Sequence, residues 1–107
     1  MATVAPTAAT WTWPPDVLRF AAEQGVSAYL DPLLDATRRT FPGTPIETVI
    51  EDDPELPDDR RILFRVDVTG WSADALFSAE NSWIEELFRH CPSLHVWLFH
   101  LGMVATS

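Results

Sequence analysis

The sequence predicts a small α+β domain with the element order α-α-β-β-α-β, in which a small sheet carries helices on one face. Three observations support this fold class. Apolar residues recur at helical spacing in the first forty residues, they alternate along the next two runs, and a helical run and an apolar strand follow. We expect residues 1–13 to form a flexible N-terminal segment and residues 14–107 a single α+β domain, because 107 residues suit one hydrophobic core.

Prolines and glycines bound the first two helices. Pro15 suits a first helical turn, and Gly25 ends an element whose predicted apolar face consists of Val17, Leu18, Ala21 and Ala22. Asp31 is the expected N-cap of the second helix, with Pro32 at its first helical position. The apolar stripe predicted for this helix consists of Leu30, Leu33, Leu34, Thr37 and Phe41.

Two alternating runs predict a long antiparallel hairpin. The first run, at about 44–51, places Ile46, Thr48 and Ile50 on one face. The second run, at about 61–69, places Ile62, Phe64, Val66 and Val68 inward. An acidic connector over residues 51–59, stiffened by Pro54 and Pro57, is expected to join the two strands.

A third helix is predicted from its cap at Ser72 to about His90, with Glu80 on the same face as its apolar stripe. The stripe consists of Leu76, Phe77, Trp83, Ile84, Leu87 and Phe88. Such a crossover is long enough for the strands on either side of it to run parallel. The last strand, predicted at 94–105, is apolar on both faces, so it is either covered by this chain or part of a subunit interface. In a two-fold homodimer, the expected self-contact consists of Trp97, Phe99 and Leu101.

The charge of the chain narrows the choice of partners. Seven basic residues, all of them arginine, oppose sixteen acidic ones, which gives a net charge of −9. Direct nucleic-acid binding is disfavoured because it needs clustered basic side chains, whereas a basic protein partner, or solubility alone, accounts for the excess of carboxylates. One cysteine and the absence of a signal-like or membrane-spanning run indicate a cytoplasmic protein.

Seven of the sixteen carboxylates lie between residues 47 and 59, where no basic residue occurs. This concentration predicts a partner-binding surface that consists of Glu51, Asp52, Asp53, Glu55, Asp58 and Asp59. The alternative is a rigid, solvated hairpin tip. Calcium binding is disfavoured, because the run lacks the alternate ligands and the sixth-position glycine of an EF-hand loop.

No motif for catalysis, a metal or a cofactor is present. His95 and His100 would point to opposite faces of one strand, and Cys91 is the only thiol, so His90, Cys91, His95 and His100 do not form the ligand set of a zinc site. Glu80 is either an edge carboxylate, paired for example with Arg65, or a buried acid or base. We expect no enzymatic activity.

Trp11 and Trp13 lie outside every predicted element. They either fold back over the sheet or anchor a partner, because tryptophan is enriched at the energetic centres of interfaces.

The acidic run 51–59, the alternating run 62–68 and the segment Asn81-Ser82-Trp83-Ile84 together resemble a group of short, uncharacterised bacterial proteins. These proteins carry an acidic turn, an alternating strand and a tryptophan-bearing helix. The resemblance covers roughly residues 44–90. Members of the group are often encoded beside another short gene, as toxin–antitoxin pairs are, so the resemblance implies a partner-binding role, for example an antitoxin-like one, and brings no catalytic residues.

These observations lead to three hypotheses. The first is a cytoplasmic interaction module that binds a basic partner, as an antitoxin-like neutraliser of a toxic enzyme does. The second is a structural accessory subunit or homodimer of a larger assembly. The third is a small enzyme that uses Glu80 or the histidines, which would need polar groups that converge in a pocket.

Overall fold

The computed structural model describes residues 11–105, apart from the side chains of 57 and 58. It contains three α-helices, three strands and two short 3₁₀ turns within these residues. In chain order, the α-helices and strands are α1 (Pro15–Gln24), α2 (Leu30–Thr40), β1 (Ile46–Asp53), β2 (Leu56–Asp67), α3 (Ala73–His90) and β3 (Phe99–Val104). The 3₁₀ turns, Ser27–Tyr29 and Val96–Leu98, precede α2 and β3. The predicted α+β class and element order are confirmed. Of the proposed flexible segment 1–13, residues 1–10 lie outside the described part.

The sheet has the order β1-β2-β3. β1 and β2 form the predicted antiparallel hairpin, in which Glu47 lies opposite Arg65. β2 and β3 run parallel, with Ile62 opposite Phe99, as the length of the crossover helix α3 predicts. The hairpin turn itself is much tighter than expected, because β1 continues to Asp53 and β2 begins at Leu56.

The core lies between the helices and one face of the sheet. Ile62, Phe64 and Val66 of β2 are fully buried there. Across from them, the helices contribute Val17, Phe20, Ala21, Leu30, Leu33, Leu34, Ala36, Ala79, Trp83 and Leu87. The opposite sheet face carries Glu47, Val49, Glu51, Arg61, Leu63, Arg65, His100 and Gly102, and we call it the open face.

Helix ends follow the expected local chemistry at two positions. Gly25 adopts a left-handed φ of 73° at the end of α1, a conformation that glycine tolerates best. The Ser72 hydroxyl accepts a hydrogen bond of 3.1 Å from the Ala75 amide at the start of α3.

Three details of the predicted elements were wrong. Leu18 is 45% exposed and Ala22 is exposed too, whereas Phe20 is buried, so the buried face of α1 consists of Val17, Phe20 and Ala21. α2 begins at Leu30 without a side-chain cap, and Asp31 lies in its first turn. The final strand begins only at Phe99, because a turn and a 3₁₀ turn occupy residues 93–98.

Candidate functional site

Half of the apolar stripe of α3 is exposed in the described part of the chain. Trp83 and Leu87 are buried in the core, as predicted. Phe77, Ile84 and Phe88 lie seven and four residues apart along the helix and are 69%, 41% and 58% exposed. An amphipathic helix usually buries its apolar face, so an exposed row of this kind is a candidate contact surface.

A groove of about 350 Å³ lies beside this row, between α3 and β3. We call it the β3 groove. Its lining consists of Glu80, Trp83, Ile84, Leu87, Phe88, Val96, Trp97, Phe99, His100 and Leu101. Glu80 and His100 are the only ionisable side chains among them, so the groove accepts apolar groups and few charged ones.

The sequence-predicted contact residues Trp97, Phe99 and Leu101 all line this groove, but they differ in availability. The Trp97 ring is 54% exposed, while its indole nitrogen donates 2.9 Å to the carbonyl of Leu94. Phe99 is only 5% exposed and packs on Phe64 in the core. The three therefore do not form one exposed strand face, because Trp97 precedes the strand and Phe99 points toward the helices.

β3 is an outer strand, and within residues 11–105 only β2 pairs with it. Its sequence, FHLGMV, contains no proline and no Asp, Glu, Lys or Arg. Natural proteins protect free strand edges with charge, proline, bulges or a covering segment. In the described part of the chain, β3 shows none of the first three.

β1, the other outer strand, is protected. It carries the carboxylates of Glu47, Glu51, Asp52 and Asp53 within eight residues. The N-terminal segment lies beside it, since Trp11, Thr12 and Pro14 line a groove together with residues of β1. The two outer strands of this small sheet therefore differ sharply in charge.

The acidic run does not form a connector that projects from the sheet, and its carboxylates are largely paired. Asp52 lies 2.9 Å from Arg60 and Asp59 lies 3.2 Å from Arg61. The Asp53 carboxylate accepts a hydrogen bond of 2.9 Å from the Glu55 amide across the turn. The field at the hairpin is therefore weaker than the run of seven carboxylates predicts, because the next arginines in the chain fold back alongside it.

Trp11 and Trp13 fold back over the core, which was one of the two alternatives. The Trp13 ring meets Phe64 edge-on at 6.2 Å, and its nitrogen donates 3.0 Å to Asp31. Trp11 packs against Trp13 at 5.3 Å, with the Arg38 guanidinium 5.8 Å from its ring centre. Both rings are partly buried, so only part of each ring is accessible to a partner.

The histidines and Cys91 do not converge. Nε2 of His90 lies 3.2 Å from Glu86, the His95 ring lies beside Tyr29, and Nδ1 of His100 lies 2.9 Å from Glu51. Cys91 is buried, and this burial raises the pKa of its thiol, which disfavours the nucleophilic thiolate. Across residues 11–105 no group of three His, Cys, Asp or Glu side chains is placed to hold a metal ion.

Glu80 is half-buried at the lip of the β3 groove. The pairing with Arg65 suggested by sequence does not occur, because Arg65 lies on the open face, 3.4 Å from Glu47. From the sequence, Ile84 and Phe88 were predicted only as members of the apolar stripe of this helix and not as contact residues. The signal that could have set them apart is the width of the α3 stripe, which exceeds what one small sheet covers.

No described helix combines the length and apolar character needed to span a bilayer. No family model, curated protein or solved structure matches the chain.

Proposed function

We propose that this protein is a small protein-interaction module that binds an extended polypeptide segment along the free edge of β3. The observation that carries the proposal is the uncharged edge of β3 beside an apolar groove and the exposed row on α3. Backbone groups of the edge supply hydrogen bonds, and apolar side chains of the bound segment enter the groove.

Strand addition uses the physical properties of such an edge directly. The outer N–H and C=O groups of a free strand pair with an incoming strand, and pockets for alternate side chains supply selectivity. Ile84 and Phe88 form one wall of the groove and Trp97 contributes to its lining. An aromatic anchor in a partly enclosed apolar site is typical of the residues that dominate binding energy.

The proposal gives the acidic hairpin a secondary part. Asp52 and Glu55 are exposed, and exposed charge acts mainly on association rate and is screened over about 8–10 Å at physiological salt. A basic partner and an antitoxin-like role remain predictions, which the hairpin variants described in the Discussion address.

A binding role accounts for the groove better than catalysis does. Enzyme sites need several polar groups that converge on one point. The groove offers Glu80 and His100, and the Nδ1 atom of His100 is already engaged by Glu51. The rest of its lining is the apolar set of α3, β3 and the preceding 3₁₀ turn.

A peptide-display selection tests the proposal. The full chain is immobilised sparsely, so that each copy is presented alone, and is probed with random peptides of about eight residues, which match the usual length of a strand. Binding of the enriched peptides is then measured for Phe88→Glu in the groove and for Leu18→Glu, which places the same charge on an exposed apolar residue of α1.

We expect enriched peptides rich in β-branched and aromatic residues, with binding lost in Phe88→Glu and retained in Leu18→Glu. Peptides that bind both variants equally, or an unenriched library, would contradict the β3 groove as the docking surface. Circular dichroism of both variants checks that the fold is retained.

A further inference from the structure

We infer that the β3 edge binds a second copy of this chain, with β3 antiparallel to β3 about a two-fold axis. The inference rests on the proposed function and names the partner of the same site. The resulting sheet contains three strands from each copy, in the order β1-β2-β3-β3-β2-β1.

Charge favours a second copy at this face. Two chains of net charge −9 repel wherever their carboxylates meet. The face made of β3 and the exposed row of α3 avoids that opposition, because Phe99–Val104 carries no carboxylate and the β3 groove contains only Glu80. This largely apolar face is complementary to itself, whereas a basic partner would find most of its counter-charges on the hairpin.

One symmetry operation covers both exposed features. The groove is lined by α3 on one side and β3 on the other, so the α3 row borders the free edge of the strand. A two-fold axis that joins the two β3 edges also brings the two α3 rows together across the same seam. The exposed row of one copy, Phe77, Ile84 and Phe88, then lies beside the same row of the other copy and runs in the opposite direction.

The area available is of the right order for a dimer. An aromatic side chain carries about 150–250 Å² of surface, so Phe77, Phe88 and Trp97 at their observed exposures supply roughly 350 Å² per copy. A standard interface buries about 800 Å² per partner. The strand edges, Ile84 and the groove walls supply additional area toward that value.

Pairing geometry restricts the register. Directly opposed residues of antiparallel strands point to the same face, so a two-fold axis must pass through a residue of β3 rather than between two residues. Leu101 and Gly102 are the two central positions of the strand. Placing either on the axis pairs most of β3 with its copy.

Sedimentation of the full chain from about 2 to about 200 µM tests self-association, which mass action makes concentration-dependent. We expect wild type and Leu18→Glu to form dimers equally. Phe88→Glu and Phe88→Lys should each associate at least about tenfold more weakly, because both copies then bring a charge of the same sign into the apolar seam. An equimolar mixture of the two variants should recover association, because opposite charges then share that seam.

Amide exchange tests the strand pairing itself. Amides of 99–104 should exchange more slowly at high than at low concentration in wild type, and equally at both in Phe88→Glu. Any one of four results would overturn the second copy as occupant. These are a wild type that is monomeric across the range, a dimer that neither Phe88 variant weakens, a mixture that associates no better than its components, and β3 amides whose exchange does not depend on concentration. Peptide binding by sparsely immobilised chains would still stand in that event, so failure of this inference and failure of the proposed function are distinguishable.

Discussion

Glu51 on β1 and His100 on β3 are joined across the middle strand by a 2.9 Å contact between Oε1 and Nδ1. Glu51 lies opposite Arg61 and His100 lies beside Leu63, so the pair reaches over β2 on the open face. It is a direct side-chain link between the two outer strands of the sheet.

This link should contribute little to stability. The His100 side chain is 51% exposed and the Glu51 side chain is 39% exposed, and exposed ion pairs typically contribute about 0.2–1 kcal/mol. A double-mutant cycle with His100→Ala and Glu51→Ala, measured by urea unfolding, should give a coupling free energy in that range. The cycle for Glu47 and Arg65, at 3.4 Å, is the matched control and should give the same or less. A coupling above about 2 kcal/mol would contradict this assignment.

The Thr37 hydroxyl should contribute more to the free energy of unfolding than the size of this side chain suggests. Its hydroxyl accepts a 2.8 Å hydrogen bond from the buried Trp83 indole and donates 2.7 Å to the Leu33 carbonyl. Thr37→Val keeps the shape but leaves the indole N–H unpaired, which costs about 1–3 kcal/mol. Thr40→Val removes a similar hydroxyl on the same helix without orphaning an indole, and should cost clearly less in urea unfolding. Equal losses would show that the indole contact is unimportant.

Glu86 should make stability sensitive to acid. A hydrogen bond from Arg39 lowers its pKa, partial burial opposes this, and Arg89 and His90 lower it further. A carboxyl whose pKa is lower in the folded state contributes stability above the unfolded pKa and loses it as pH falls through the folded one. The stability gap between wild type and Glu86→Gln should therefore be widest near neutrality and should close below the ordinary glutamate range.

The exposed neighbour Glu85 supplies the control for that series. Glu85→Gln removes the same charge one residue away, so thermal unfolding of this variant should follow wild type at each pH. A gap for Glu86→Gln that does not change with pH would assign the residue a role in packing rather than in charge.

The acidic hairpin tests the steering hypothesis. Asparagine at positions 52, 53, 58 and 59 should leave the fold intact. At 52 and 53 the expected shift in stability is less than about 0.5 kcal/mol per site, because the Asp52–Arg60 pair is exposed and asparagine at 53 retains an acceptor for the turn. Toward a basic peptide that binds the β3 groove, the variant should associate more slowly, most of all at low salt. Stopped-flow measurement across a salt series decides it, and equal rates would leave the carboxylates as aids to solubility.

The hairpin and the crossover helix were predictable because their signals are local. Alternation in β2 has one phase, and Ser72 opens α3 as expected from its side chain. In α1 the spacing of the apolar residues is compatible with two neighbouring buried faces of the helix. Tertiary packing selects the face that buries Phe20 instead of Leu18. Local pattern does not contain that choice.

The candidate site was only partly visible in the sequence. Trp97 and Leu101 were predicted as contact residues, whereas Ile84 and Phe88 were assigned only to the apolar stripe of α3. Helical spacing does not show which half of a wide apolar stripe packs against the sheet. The partners of the acidic run were within reach of sequence reasoning. An antiparallel hairpin that places Glu47 opposite Arg65 also places Asp52 opposite Arg60, with which it pairs.

The mixed pairing of β2 has a kinetic consequence. Its bonds to β1 close a two-residue turn, whereas its bonds to β3 close a loop that includes all 18 residues of α3. Closing a longer loop has a larger entropic cost, so contacts distant in sequence form later. We therefore expect β3 to join the sheet last during folding and to separate first during partial unfolding, which would remove Phe99 from the core. A protease added to the native protein should therefore make its first cut in the sheet at or near β3.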